Sequence, residues 1–426
     1  MRRSLLVEPL LLRSLAAGGA AALVVLAAAG ARAEPLVLDR ARVVALAREL
    51  SPEAAVANAR TAEARAQRTG AGAWAPTNPE LSVLAGPRFY PAETKTDVLV
   101  SLQWPFDVSG APSARASAAE AQVRVAEAEQ GDSQRRRIAE ALDRWLEAVA
   151  GEGRVALDSR RVELDAGLLH AARVQRDAGA AGDGDVALAT VVAGEAAAQL
   201  HRSRGEREAA LALLRARLGL APEAPVLLQP GTGDDEQPTL ESLLAKLAAR
   251  PDLIRAARSV EAARAEADLQ RRAGWPIPRV SVGAGQSPEK LLQAGVVVPL
   301  PVYQRNQTAS AVAAAREQTA ILEQRALLSR AGGELRAAWA RFEAARAAAR
   351  ELESASPAVE DAEHLATRAY ELGQGTLAGV LLARGEAARA RLALLEGRIA
   401  QARALLALEL AAGASPSGAS PSGASP

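Results

Sequence analysis

The sequence predicts a mainly α-helical fold with a small β part, built twice over: helix, two strands, long helix, Gly-rich turn, long helix, then the same again. Three observations predict it. The N-terminus carries an export signal. The rest of the chain is an internal duplication. In each copy a pair of strands with period-2 alternation opens into a proline-poor, Ala/Leu-rich helical stretch far longer than a globular domain uses.

The export signal comes first in the chain. Arg2, Arg3 and Arg13 supply positive charge, residues 14–30 are uncharged and mostly apolar, and Ala31-Arg32-Ala33 has the small-x-small form of a cleavage site. We therefore expect a signal peptide over 1–33. An uncleaved anchor is the alternative reading of the same residues. The mature chain has a slight acidic excess and gives no basic footprint for nucleic acid. No later stretch reaches the roughly 18 apolar residues of a spanning helix. If the mature chain crosses a membrane, a β-barrel is the remaining option, because every backbone polar group must be paired inside the bilayer.

Composition excludes several kinds of function. With no Cys in 426 residues, a disulfide scaffold, a thiolate metal site and a Cys nucleophile are excluded. His170, His201 and His364 are scattered and leave little for a zinc or copper site. No spacing suggests a Ser/His/Asp set, and no cofactor is expected. Ser287-Pro288-Glu289-Lys290 spells a catalytic S-x-x-K, but it lies between two strands rather than at a helix start. Gly182-Asp183-Gly184-Asp185 looks like part of a calcium loop, but no ligand set follows.

The duplication sets the domains. Asn78-Pro79-Glu80-Leu81-Ser82-Val83 followed by Trp104-Pro105-Phe106 parallels Ile277-Pro278-Arg279-Val280-Ser281-Val282 followed by Val298-Pro299-Leu300. Gly179, Val186 and Ala189 parallel Gly373, Val380 and Ala383 at one common offset. The first repeat spans 34–220, a connector 221–239, the second repeat 240–412, and a Ser/Pro/Gly/Ala tail 413–426 that should be disordered.

Strands are expected at about 80–86, 97–106, 279–285 and 291–299. Val98, Val100, Leu102, Trp104 and Phe106 alternate with Leu99, Ser101, Gln103 and Pro105. Val280, Val282 and Ala284 alternate with Ser281, Gly283 and Gly285, and Leu292, Ala294, Val296, Val298 and Leu300 continue the pattern. This is the pattern of strands with lipid on one face and a wet lumen on the other. A soluble half-buried hairpin would alternate in the same way. Most of the few aromatics (Trp74, Phe89, Tyr90, Trp104, Phe106, Trp275 and Tyr303) cluster in or beside these segments, as an interfacial girdle requires. Four strands cannot close a membrane barrel, for which about eight is the practical minimum, so spanning strands would have to be shared between subunits.

The helices carry heptads. Leu381, Ala388, Leu395 and Ala402 form one series, with Gly385, Leu392, Ile399 and Leu406 between them, and Ile321, Leu328, Leu335 and Phe342 form another. From Ser113 to Ala178 no proline intervenes, although Gly151 and Gly153 invite a local break.

These residues resemble the TolC family of outer-membrane efflux proteins over about Leu36 to Ala412, and most closely its heavy-metal type typified by CzcC and CusC. Asn78-Pro79-Glu80-Leu81 is similar to the start of that group's first strand. Val298-Pro299-Leu300-Pro301-Val302-Tyr303-Gln304-Arg305-Asn306-Gln307 is similar to its second strand-to-helix segment. Arg368-Ala369-Tyr370-Glu371-Leu372-Gly373-Gln374-Gly375-Thr376 is similar to the family's helical tip, with Arg176-Asp177-Ala178-Gly179 as its first-repeat counterpart.

The resemblance implies a homotrimer giving a 12-stranded barrel in outer-membrane lipid, continued by a periplasmic α-helical tunnel. It implies a periplasmic adaptor and an inner-membrane pump of RND type as partners, with metal ions or small toxic compounds as cargo. It places Gly179, Gly182, Tyr370, Gly373, Gly375 and Thr376 at adaptor-contacting tips. The family's gate aspartates match Gly379 and Leu382, neither of which is acidic, so the gate is expected at Leu382 or at Asp183 and Asp185. Helix capping is an equal reading of the two aspartates. The alternative function is a periplasmic coiled-coil structural or adaptor protein without a barrel.

Overall fold

The computed structural model describes residues 35–413 except 76, 90, 92, 230–238 and 288. The signal peptide, Tyr90, the tail beyond Gly413 and much of the connector lie outside the described residues.

Each repeat opens with a short strand and short helices. In the first these are β1 (Leu36–Leu38), α1 (Arg40–Glu49) and α2 (Pro52–Arg68). In the second they are β4 (Val226–Leu228), α5 (Leu240–Lys246) and α6 (Pro251–Arg272). The Asp39 carboxylate accepts from Arg42 N–H at the start of α1, and the Thr239 hydroxyl accepts from Ser242 N–H at the start of α5. Pro52 and Pro251 open α2 and α6, where a missing N–H costs nothing. β1 and β4 pair in parallel, Leu36 opposite Val226 and Leu38 opposite Leu228. The stretch read as a plain connector therefore contributes a strand that ties the two repeats together.

Two strands follow in each repeat: β2 (Glu80–Phe89) and β3 (Thr94–Pro105), then β5 (Arg279–Ser287) and β6 (Glu289–Val297). They run further toward their hairpin turns than the alternation suggested; β2 and β5 begin where expected, and β3 and β6 end sooner at the helix side. Phe106, Val298 and Leu300 lie past the strand ends: Pro278, just before β5, accepts from Phe106 N–H at 3.0 Å but has no N–H of its own to extend the ladder.

The long helices are α3 (Ala111–Asp177), α4 (Asp183–Leu218), α7 (Gln307–Glu371) and α8 (Leu377–Ala412). At 67 residues α3 is about 100 Å long. It is unbroken at Gly151 and Gly153, where a break was expected. Those glycines instead admit neighbouring helices. A Cβ on Gly151 would lie 3.2 Å from Arg207 Cα in α4, and one on Gly153 would lie 2.8 Å from the Leu395 side chain in α8. α7 likewise runs through Pro357.

The sheet sits at one end of α3 and α7, and the helical turns sit at the other. α4 and α8 return only part of the way, and α2 and α6 cover the remainder. Where they meet, a midway belt holds the main cores. Leu38, Val43, Ile138, Leu142, Trp145, Leu214 and Leu218 pack together, and Trp145 Nε1–H donates to Leu38 O at 3.0 Å. Leu243, Leu335, Phe342, Leu408 and Ala412 form the second cluster. Trp145 and Trp339, Leu214 and Leu408, and Leu218 and Ala412 all stand at the offset that relates the two tips, so the duplication extends to the packing. At this belt Arg135 donates to Leu410 O at 2.5 Å and Arg250 to Ala411 O at 3.2 Å. Two nearly buried guanidinium groups thus satisfy the last carbonyls of α8.

Candidate functional site

The two ends of the helical shaft are the candidate sites. At one end, β2, β3, β5 and β6 form a single antiparallel sheet in that order. Its register sorts the side chains. One face carries the rows Leu81–Leu102–Val282–Ala294 and Val83–Val100–Ala284–Leu292, with Trp104, Val280 and Val296 nearer the helices. The other carries Glu80–Gln103–Ser281–Gly295 and Ser82–Ser101–Gly283–Gln293. Ser82 and Ser101 share a 2.7 Å hydroxyl hydrogen bond across the strands of that face. Along β3 the apolar face is exposed at every residue from Val98 to Trp104, while Asp97, Leu99, Ser101 and Gln103 are half-buried. The sheet therefore curves around its polar face and turns its apolar face outward. Among the described residues, the outer edges of β2 and β6 have no partner strand.

The aromatics follow the same geometry. Trp74, Trp104, Trp275 and Tyr303 are exposed at the helix-side end of the sheet, with Phe106 half-buried beside them. Trp74 and Trp104 stack at 5.6 Å between centroids. Phe89 is exposed at the opposite, hairpin end.

At the far end of the shaft the two turns are built alike. Gly179 (φ 76°) and Gly373 (φ 69°) each take the left-handed conformation just past a helix. Ala180 N–H donates to Gln175 O at 2.8 Å, and Gln374 N–H to Ala369 O at 2.8 Å. Gly179 and Gly373 N–H donate to Arg176 O and Tyr370 O. This is the same paired C-terminal cap in both repeats, and it requires glycine. Gly373→Ala should cost about 1 kcal/mol or more and speed proteolysis at that turn, whereas Gly182→Ala, at negative φ, should leave the cleavage rate unchanged.

Gly182 and Gly375 have other roles. Gly182 is the N-cap of α4 in extended conformation, and its N–H donates to the Asp185 carboxylate at 3.3 Å. A Cβ on Gly375 would stand 3.0 Å from Tyr370 N, so this glycine allows the turn to fold back on α7. Thr376 caps α8, its hydroxyl accepting from Gly379 N–H at 3.2 Å. Asp185 thus serves as a cap, while Asp183, Gly379 and Leu382 are exposed, Leu382 by 65%.

The two tips pack on each other. Leu168, Ala172, Val186 and Ala189 of the first hairpin meet Tyr370, Leu377, Val380 and Leu381 of the second. Tyr370 is 8% exposed and its hydroxyl has no hydrogen-bond partner among the described residues. Burial, and secondarily the Asp185 charge, push its phenol above the ordinary range. Further up the shaft is a link that spacing gave no means to find. Arg384 of α8 donates to Leu164 O of α3 at 2.7 Å and lies 3.9 Å from Asp165, whose side chain is 5% exposed. Burial raises the Asp165 pKa, against the opposing pull of Arg161 and Arg384.

Among the described residues no group of three metal-ligating side chains occurs, and no helix is long and apolar enough to cross a membrane.

No protein-family model matches the chain, and no curated protein matches it in sequence. Solved structures do match it in shape. VceC, an outer membrane protein of Vibrio cholerae, is 21% identical with a TM-score of 0.73, over 88% of this chain and 96% of that one. CusC, whose structures concern transmembrane channel formation, is 17% identical with a TM-score of 0.74, over 89% and 94%. The chain has the fold of bacterial outer-membrane channels. The CmeC outer membrane channel of Campylobacter jejuni carries the same fold at 15% identity and a TM-score of 0.76, over 88% and 85%. Within this channel fold, the duplicated sheet and shaft are the elements that the sequence resemblance implied.

Proposed function

We propose that the chain is one subunit of a homotrimeric outer-membrane efflux channel, a passive exit duct for small toxic compounds or metal ions. The observation that carries this is the four-stranded sheet, apolar outside and polar inside, with both edges open. An open edge of this length is a liability in an isolated protein, and inside a bilayer it is not tolerated. Pairing β6 of one subunit with β2 of the next removes every edge when three subunits close a 12-stranded barrel. The shaft supports the same assembly, since Val191, Leu322, Leu328 and Leu365 are exposed on its helices and need a neighbour to cover them. Trp74, Trp104, Phe106, Trp275 and Tyr303 then form the periplasmic-side girdle, with Phe89 toward the outer side.

The tips around Gly179, Gly182, Tyr370, Gly373, Gly375 and Thr376 dock a periplasmic adaptor, which joins the duct to an inner-membrane pump of RND type. The periplasmic gate is drawn from Leu382 and Gly379 of the second tip and Asp183 of the first, all exposed there, with Asp185 held back as a cap. The chain performs no chemistry. Its work is to exclude lipid and conduct, and the pump supplies the energy.

Reconstitution into planar lipid bilayers tests the reading. The purified protein should give discrete, long-lived conductance steps. Protein that neither inserts into the bilayer nor conducts would support the coiled-coil alternative without a barrel.

A further inference from the structure

The wet face of the sheet is interrupted by one apolar row. Leu84 lies opposite Leu99, Leu99 opposite Gly285, and Gly285 opposite Leu291. These residues share the face of Ser82, Ser101, Gly283 and Gln293, one step further from the helices. Leu84 is 62% exposed and Leu291 46%. Gly285 seats the row, because a Cβ there would lie 3.1 Å from Leu99 Cδ1 and 2.5 Å from Val98 O. Leucines exposed toward water gain nothing from folding. Next along the same face stand Asp97, opposite Gly86, and Glu289, two residues before Leu291. One oxygen of Asp97 pairs with Arg88 at 2.5 Å, while its Oδ1 is buried without a hydrogen-bond partner. Lys95, further out, pairs with Glu93 at 2.5 Å.

We propose that Leu84, Leu99 and Leu291 form an apolar collar inside the barrel that contacts the hydrocarbon part of an amphipathic organic cation, with Glu289 attracting its charge. The proposal rests on the barrel reading above and deepens it. Three subunits close the row into a ring between hydroxyl and amide rows on the helix side and, on the outer side, Glu289 and the Arg88–Asp97 and Lys95–Glu93 ion pairs. A hydrated ion passing such a ring loses water contacts and gains none. An organic cation with alkyl arms exchanges water for leucine and keeps its charge beside Glu289. The collar thus favours organic cargo over bare metal ions.

The absence of native Cys makes the test clean. Ser101→Cys, one row from the collar, is placed in trimers in lipid nanodiscs and treated with a trimethylammonium-bearing methanethiosulfonate. Tetrapentylammonium should slow the reaction about tenfold more than tetramethylammonium, through its apolar contact. Adding Leu84→Ser and Leu291→Ser should erase that difference. Leu99→Ser alone should reduce it, which covers a failure of the triple variant to assemble, since lumen substitutions are otherwise tolerated. Equal protection by both cations, or protection that survives the serines, overturns the collar while leaving the barrel standing. The barrel itself is read from Val100→Cys, which should not react. If Val100→Cys reacts and Ser101→Cys does not, the barrel reading falls and takes the collar with it.

Discussion

Val100→Arg should abolish the outer-membrane particle, and Gln103→Arg should leave it intact. Val100 stands between Val83 and Ala284 in the middle of the apolar face. Arginine there puts a charge against lipid at a cost of about 2–4 kcal/mol per subunit near the midplane, and a symmetric trimer carries that cost in every subunit. Gln103 is three residues along the same strand but on the polar face, opposite Glu80 and Ser281. A guanidinium there meets water and a carboxylate. The two variants differ by one face of one strand, so their comparison isolates the lipid contact from any general effect of a new charge in β3. Heat-resistant oligomer in washed outer membranes is the readout. Equal yields for the two variants would contradict the assignment of the faces.

Arg250→Ala should produce the largest loss of stability outside the membrane. Arg250 is 6% exposed and Asp252 8%. The guanidinium binds both oxygens of Asp252 at 2.8–3.1 Å, Glu334 at 2.7 Å and Ala411 O at the end of α8. Its side chain therefore joins α6, α7 and α8 at one point. Removing it leaves the nearly buried Asp252 with only Arg135, 4.0 Å away, and Leu253 N–H as partners; breaking a buried pair costs about 3–5 kcal/mol, of which these partners offset a part. The double variant Arg250→Ala with Asp252→Ala should lose less than the sum of the two single losses, because the stranded charge is gone. Thermal unfolding of the purified particle measures all three. A midpoint unchanged in Arg250→Ala would show that the clamp contributes nothing.

Much of this architecture was legible because it is periodic. The alternation from Val98 to Trp104 needs no tertiary information, and the landmarks of the duplication survive as Gly, Pro and aromatic residues whose backbone or interfacial roles resist replacement. Of the heptad residues, Leu335 and Phe342 fall in the core, whereas Leu328 and Leu392 are exposed in the single chain. What was not legible depends on partners distant in sequence. Gly151 and Gly153 read as a break because glycine lowers helix propensity, yet the closeness of Arg207 and Leu395 gives them a packing role instead. β1 and β4 are three residues each, too short to show a period, and exist only because they pair. Arg135, Arg250, Asp165 and Arg384 look like any other charges until the fold removes their water. The leucine row was hidden by its own strand. Leu99 alone reads as an irregularity, and only the register with Leu84 and Leu291 makes it a feature.

The mass of the native particle tests the central claim most directly. Taken from washed outer membranes, it should appear only with detergent and correspond, after subtraction of bound detergent, to three copies of the chain. A monomer or dimer released into the periplasmic fraction without detergent would contradict the shared barrel and leave the helical shaft as a soluble structural or adaptor element.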